Sequence, residues 1–192
     1  MKNLTVELIS NGPLLIKSDR LANPMAAITK EYKALTSDAR LKKTDEGQMM
    51  IARHEYLAGF YDDEDGVRIP TGNIWKSLVM GARKFKKGKD VEGGVIMLEE
   101  TAEFEFDGPK KHQKLWEDPD FVDARTVVLR GGSRIMCYRP LLKEWEITTE
   151  VAHDPSIIDL DNLMMYWDAA GVVCRLGTYR TLFGRYTVKI VG

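Results

Sequence analysis

The chain has 192 residues, 44% of them hydrophobic and 30% charged, with a formal net charge of -1. That balance suits one globular domain with a full core and leaves out fibrous and disordered classes. No apolar run reaches the roughly 20 residues of a membrane-spanning helix, and the start reads as a strand rather than a signal peptide. The expected compartment is therefore a cytoplasm. The two cysteines, Cys137 and Cys174, lack metal-type spacing and read as reduced, buried thiols.

In chain order, residues 3–10 alternate Leu4, Val6 and Leu8 against Thr5 and Glu7, which predicts a half-buried strand. Asn11-Gly12-Pro13 marks a turn before the apolar Leu14 to Ile16. Asn23 as cap with Pro24 at the first position predicts a helix over 24–36, and Thr44 opens a second over 45–57. Together they form an α-helical insertion at 22–60. The carboxylates from Asp62 to Asp65 lack the alternating ligands and distal glutamate of an EF-hand. With Gly66 between apolar flanks, they predict a hairpin turn instead.

Thr71 reads as the N-cap of a helix over 71–87. Its apolar stripe is Ile74, Leu78, Ala82 and Phe85, widened by Trp75 and Val79, and it closes on a basic run around Gly88. Glu103 to Asp107 alternates as a strand, and Leu115-Trp116 is a short helical element. Residues 121–139 form a hairpin about Gly131-Gly132-Ser133. The strand at 143–151 turns Trp145, Ile147, Thr149 and Val151 inward. Asp159 caps a helix from Leu160 to Ala170, and Tyr186 to Val191 closes as a strand. This order predicts an α+β fold: a ferredoxin-like or RRM-like β-α-β-β-α-β sheet in a single domain, 1–192, carrying the insertion and an extra β-hairpin.

The near-neutral charge hides a segregation. Residues 66–89 hold seven Lys and Arg, residues 124–143 five, and residues 169–192 four, with no acid in any of them. These windows take 16 of the 28 basic residues and none of the 29 acids. They are expected to form one positive face.

The segment from Ile69 through Pro70, Gly72 and Asn73 to Gly81-Ala82-Arg83 resembles a stretch of the RAMP superfamily, the RRM-like backbone and processing subunits of CRISPR effector complexes. Gly171 to Tyr186 is similar to that superfamily's glycine-rich loop. Over nearly its whole length the chain also resembles small phage and prophage proteins. They share the pattern Arg-x-Arg-Pro-x-x-x-x-Trp, carried here as Tyr138-Arg139-Pro140 through Trp145. They also share Gly-Leu-Gly-x-x-Arg-x-x-x-Gly-Arg-Phe, from which this chain departs with Arg175 for the first glycine and Tyr186 for the phenylalanine. The RAMP likeness implies binding of RNA or single-stranded nucleic acid by subunits stacked in a filament. The phage likeness brings no activity with it, and would place the protein in a host cytoplasm.

Phosphates need cations along a groove, and bases need flat groups to stack on. Lys76, Arg83, Lys84, Lys86, Lys87 and Lys89 supply the cations on the helix, and Arg125, Arg130, Arg134 and Arg139 through the hairpin. Arg175, Arg180 and Arg185 punctuate the glycine-rich loop, with Tyr138, Tyr179 and Phe183 as stacking groups. His54, His112 and His153 have no metal-ligand spacing, and no nucleophile elbow or P-loop is present, so neither catalysis, a metal nor a cofactor is expected. The leading expectation is a non-enzymatic binder of single-stranded DNA or RNA that self-assembles into an oligomer or filament. The alternatives are a protein-binding module in host–phage conflict and a nucleic-acid processing enzyme.

Overall fold

The computed structural model describes residues 1–63 and 66–191. Its elements begin with β1 (Lys2–Ser10), β2 (Leu14–Leu15), α1 (Ala27–Ser37), α2 (Asp45–Ala58), β3 (Asp62–Asp63), β4 (Gly66–Val67) and β5 (Ile69–Pro70). Next come α3 (Thr71–Arg83), α4 (Gly88–Gly94), β6 (Val95–Met97), β7 (Thr101–Phe106), α5 (His112–Leu115) and β8 (Val122–Val128). The chain continues with β9 (Arg134–Leu142), β10 (Trp145–His153), α6 (Leu160–Ala169) and β11 (Tyr186–Ile190). The fold is α+β, with antiparallel sheets. No described helix is long and apolar enough to cross a membrane. Read in sequence as one domain with an insertion at 22–60, the chain divides by its contacts into two compact units. The first is Met1–Leu14, Arg68–Asp107 and Leu142–Gly192; the second is Leu15–Val67 and Gly108–Leu141.

Unit 1 is built on a sheet in the order β11-β1-β10-β7-β5, with β6 also on β10. The alternation in β1 does what its pattern requires. Val6 lies opposite Thr149 and Ile190, Leu8 lies opposite Ile147 and Val188, and these inward groups are buried or nearly so. The inner face is closed by α3 and α6, through Ile74 and Leu78 on one and Leu163 and Trp167 on the other, all fully buried. Each such side chain contributes about 1.5–3 kcal/mol by leaving water. At Gly81 the two helices touch backbone to backbone, because a Cβ there would lie 2.3 Å from the Tyr166 carbonyl oxygen. A hydrogen bond of 2.8 Å between the Ser77 and Tyr186 hydroxyls fastens α3 to β11.

Two boundaries in unit 1 differ from the sequence reading. Thr71 is not the cap of α3 but its first residue, and its hydroxyl donates to the carbonyls of Glu99 at 2.6 Å and Glu100 at 3.1 Å. The helix also stops at Arg83 rather than 87. Lys86 adopts a left-handed φ of 62°, with the amides of Lys86 and Lys87 turned back onto Arg83 and Ala82. This is a Schellman closure with lysine where glycine is the usual choice. Phe85 therefore falls beyond the helix, 42% exposed, against Tyr166 at a ring distance of 5.7 Å.

After α6 the chain continues as a π-helical turn over Ala170–Cys174 and then enters the glycine-rich loop. Gly184 there has φ +77°, and a Cβ would sit 1.9 Å from the Leu176 carbonyl oxygen. Its amide donates to Pro13 at 2.8 Å and its carbonyl accepts from Leu176 at 2.9 Å. Gly184→Ala is expected to cost about 2–3 kcal/mol from overpacking and the left-handed backbone. Urea unfolding checks this.

Unit 2 is gathered around α2 and the β8–β9 hairpin. Thr44 caps α2 as predicted, its hydroxyl accepting from the Gly47 amide at 3.1 Å. The first helix starts later than Pro24 suggested, at Ala27. The Asn23 side chain is spent locally, accepting from the Met25 amide at 3.0 Å. His54 on α2 bonds the Ile28 carbonyl at 2.8 Å and stacks on Tyr32. Tyr56 is the centre of the core, with its ring 5.4 Å from Phe60 and 5.2 Å from Trp116 and its hydroxyl donating to the Phe121 carbonyl. The hairpin predicted around Asp62 to Gly66 pairs Asp62 with Val67. Glu64 and Asp65, the middle of that turn and of the calcium-loop reading, lie outside the described residues.

Candidate nucleic-acid interface

In unit 1 two of the three acid-free segments come together. The Ser77 hydroxyl donates to the Arg175 carbonyl at 3.1 Å, and an Arg180 guanidinium nitrogen lies 3.3 Å from the Met80 sulfur. The glycine-rich loop thus lies along α3. The cations on this side divide into two kinds. Lys76, Lys84, Lys86 and Lys89 are exposed. Arg83 and Lys87 are exposed too, but Arg83 donates to Glu92 at 2.8 Å and Lys87 to Asp90 at 2.9 Å. The hydrogen bond to Asp90 and then its charge hold the Lys87 ammonium above the ordinary lysine range.

The arginines of the loop are unequal. Arg175 has φ 62° and folds its guanidinium onto its own loop, donating to Val172 at 3.2 Å, Arg180 at 2.8 Å and also the Thr181 carbonyl. It is a clamp that shapes the loop rather than the phosphate ligand the spacing suggested. Arg180 is half-buried and Arg185 exposed. Tyr179 has φ 49°, is 45% exposed, and its ring centroid lies 6.0 Å from Phe183, tilted by 43°. Beside these rings Val172, Val173 and Leu182 are also exposed. Deeper in, the buried Tyr186 phenol is pushed up by desolvation and stays neutral.

The opposite face of the same sheet carries the other sign. Glu103, Glu105, Glu146 and Glu150 point outward with Glu7, and Glu105 stands directly across from Glu146. Lys189, opposite Glu7, is a lone cation among these cross-strand rows. The charge of this platform is unfavourable for phosphates, and the exposed cations of unit 1 described above lie on the helix–loop side.

In unit 2 the hairpin cations part company. Arg139 does not belong to a binding surface. Its side chain is 6% exposed, and it donates to Asp123 at 2.9 Å from directly across the ladder. Arg125 also pairs with Asp123. Arg130 and Arg134 sit at the exposed tip, where Gly131 and Gly132 take φ values of 110° and 88°. Around them Val128, Leu129, Ile135 and Met136 are exposed. Tyr138 is half-buried, with its ring edge-on to Trp116 at a centroid distance of 6.0 Å. His153 is buried at the end of β10.

No protein-family model matches the chain, and no curated protein matches it significantly.

Proposed function

We propose that the protein binds single-stranded DNA or RNA through the helix–loop side of unit 1 and self-assembles. The observation that carries this reading is backbone strain. Among the described residues, the non-glycine residues with left-handed φ are Lys86, Arg175 and Tyr179, and all three belong to that side. A left-handed backbone costs a side-chain-bearing residue about 1–2 kcal/mol. Such conformations cluster at functional sites, where the surrounding fold holds them. Here one presents a cation, one shapes the loop and one carries an exposed aromatic ring, the elements of a sequence-tolerant strand-binding surface. The π-helical turn that launches the loop is of the same kind.

The finer fold assignment belongs with this reading. A β-α-β-β-α-β ferredoxin-like plan is supported by the antiparallel order β11-β1-β10-β7 and by α3 and α6 falling in the two crossovers. It departs from RRM-like binding in one respect: the open sheet face is acidic. Self-assembly is supported by the same polarity. A basic helix–loop side and an acidic sheet face on one unit favour head-to-tail contacts, weakened by salt.

The test is fluorescence anisotropy with single-stranded RNA and DNA of about 30 nucleotides, longer than the ~4–16-nucleotide footprint of a small binding fold. Binding is expected to weaken steeply between about 50 and 200 mM salt. No binding at the lower salt overturns the reading. A second reading, a protein-binding module, is favoured by the apolar tip of the β8–β9 hairpin, and that outcome would direct the search there.

A further inference from the structure

Unit 2 contains a group of reactive side chains that the proposed function does not use. Ile16 donates its amide to the Pro140 carbonyl at 3.1 Å, which fixes the next residue, Lys17, beside β9. The Lys17 ammonium donates to the Cys137 sulfur at 3.1 Å and to Glu55 Oε1 at 3.2 Å. The Cys137 thiol donates to the same carboxylate oxygen at 3.1 Å. The triangle is closed: nucleophilic sulfur, proton acceptor and amine are mutually in contact. Cys137 is 1% exposed and the Glu55 side chain 11%, whereas the Lys17 side chain is 42% exposed and stands in front of them.

A buried cysteine is usually an apolar filler. This one has a carboxylate to take its proton and an amine against its sulfur. Burial pushes the thiol up, opposed by the hydrogen bond from Lys17. Burial alone would lower the Lys17 ammonium. The hydrogen bond and charge of Cys137, followed by the charge of Glu55, outweigh that and hold it above the ordinary range. At rest the pair is a thiol and an ammonium, shut away from bulky thiols and disulfides. Unit 2 has no other cysteine, since Cys174 belongs to unit 1, so a disulfide within it is excluded.

We propose that Lys17 and Cys137 form a modification site that responds to hydrogen peroxide by closing an S–N bridge between the lysine nitrogen and the cysteine sulfur. In the first step Glu55 takes the thiol proton and the sulfur attacks one peroxide oxygen. The O–O bond breaks, the sulfenic acid forms, and the departing hydroxide takes the proton from Glu55 to leave as water. Sulfenic acids condense with nearby nitrogen nucleophiles to give sulfenamides. In the second step the ammonium passes a proton to Glu55 and its lone pair attacks sulfur. The S–O bond breaks, hydroxide leaves as water with that proton, and the new S–N nitrogen sheds one proton to solvent. The sulfur is oxidised by two electrons and the peroxide reduced by two; thiol, ammonium and one peroxide give the bridge, two waters and one proton. The bridge ties residue 17 to β9, and thiol reductants reopen it.

The experiment exposes the full chain to hydrogen peroxide under native conditions, blocks residual thiols and reads intact mass and tryptic peptides. The exposed Met25 and Met49 report the oxidant dose, and Cys174 provides a comparison in the same sample. Expected are loss of two hydrogens, a Lys17 peptide joined to the Cys137 peptide, no cleavage after Lys17, and full reversal by dithiothreitol. Lys17→Arg keeps the cation opposite Glu55 but has no competent nucleophile, so its Cys137 should be trapped as sulfenic acid, without a bridge, by dimedone present while the chain is unfolded after the peroxide is removed. Wild-type protein that yields dimedone-trapped Cys137 and no joined peptide overturns the proposal. So does Cys137 remaining a thiol at doses that oxidise both methionines. If the arginine variant does not fold, the wild-type peptide map decides alone.

Discussion

Replacing Lys84, Lys86 and Lys89 together by glutamate is expected to lower affinity for single-stranded oligonucleotides by about a hundredfold or more at low salt. These three are exposed at the corner where α3 hands over to α4. Three phosphate contacts on a single strand account for a slope of about -2 in log K against log salt, from about 0.7 per contact. The variant should therefore lose about that much salt dependence together with its affinity. Arg83 and Lys87 serve as the contrast, because Glu92 and Asp90 already engage them. Neutralising those two should cost clearly less. Anisotropy titrations at several salt concentrations measure both quantities. An affinity unmoved by the triple reversal would remove the helix–loop side from the reading, even if the protein binds nucleic acid elsewhere.

Asp123→Ala is expected to destabilise unit 2 by about 3–5 kcal/mol, the cost of leaving one partner of a buried ion pair without the other. Asp123 is buried with Arg139 directly across the ladder, and Arg125 reaches the same carboxylate. Removing it takes from a buried guanidinium its carboxylate across the ladder. The paired replacement Asp123→Leu with Arg139→Met removes both charges and should recover most of the loss, since apolar substitutes for a buried pair are often neutral. Urea unfolding monitored by tryptophan fluorescence, to which Trp116 against Tyr138 of the same hairpin contributes, separates these outcomes. A single variant as stable as the parent would show that the ion pair is dispensable.

How far the sequence could be read depends on how local each signal is. The Thr44 cap, the Asp159 cap and the Gly131-Gly132 turn act within a few residues of themselves, and each lies where it was expected. The alternation of β1 and of the strand from Trp145 is equally local, and it separates buried from outward residues correctly. The end of α3 was hidden because a lysine, not Gly88, takes the left-handed position. The charge map failed at its margins for a plain reason. The acid-free windows ended at Lys89 and began at Ala124, and the next residues outward, Asp90 and Asp123, are the acids that fold back onto Lys87 and Arg139. A window chosen for lacking acids is bounded by acids, and helical turns or cross-strand pairs return them to the cations inside. The clamp formed by Arg175 was equally illegible, because it depends on a loop path that only the folded chain defines.

The position of β1 has a consequence for synthesis. Its Leu8 lies opposite Ile147 of β10 and Val188 of β11. A ribosome working at about 5–20 residues per second makes β1 wait roughly 7–30 s for the nearer of these partners. Through that interval an alternating apolar strand has both edges open, the arrangement most prone to pairing with neighbouring nascent chains. Shielding this early strand until β10 emerges is thus a demand that the topology places on synthesis.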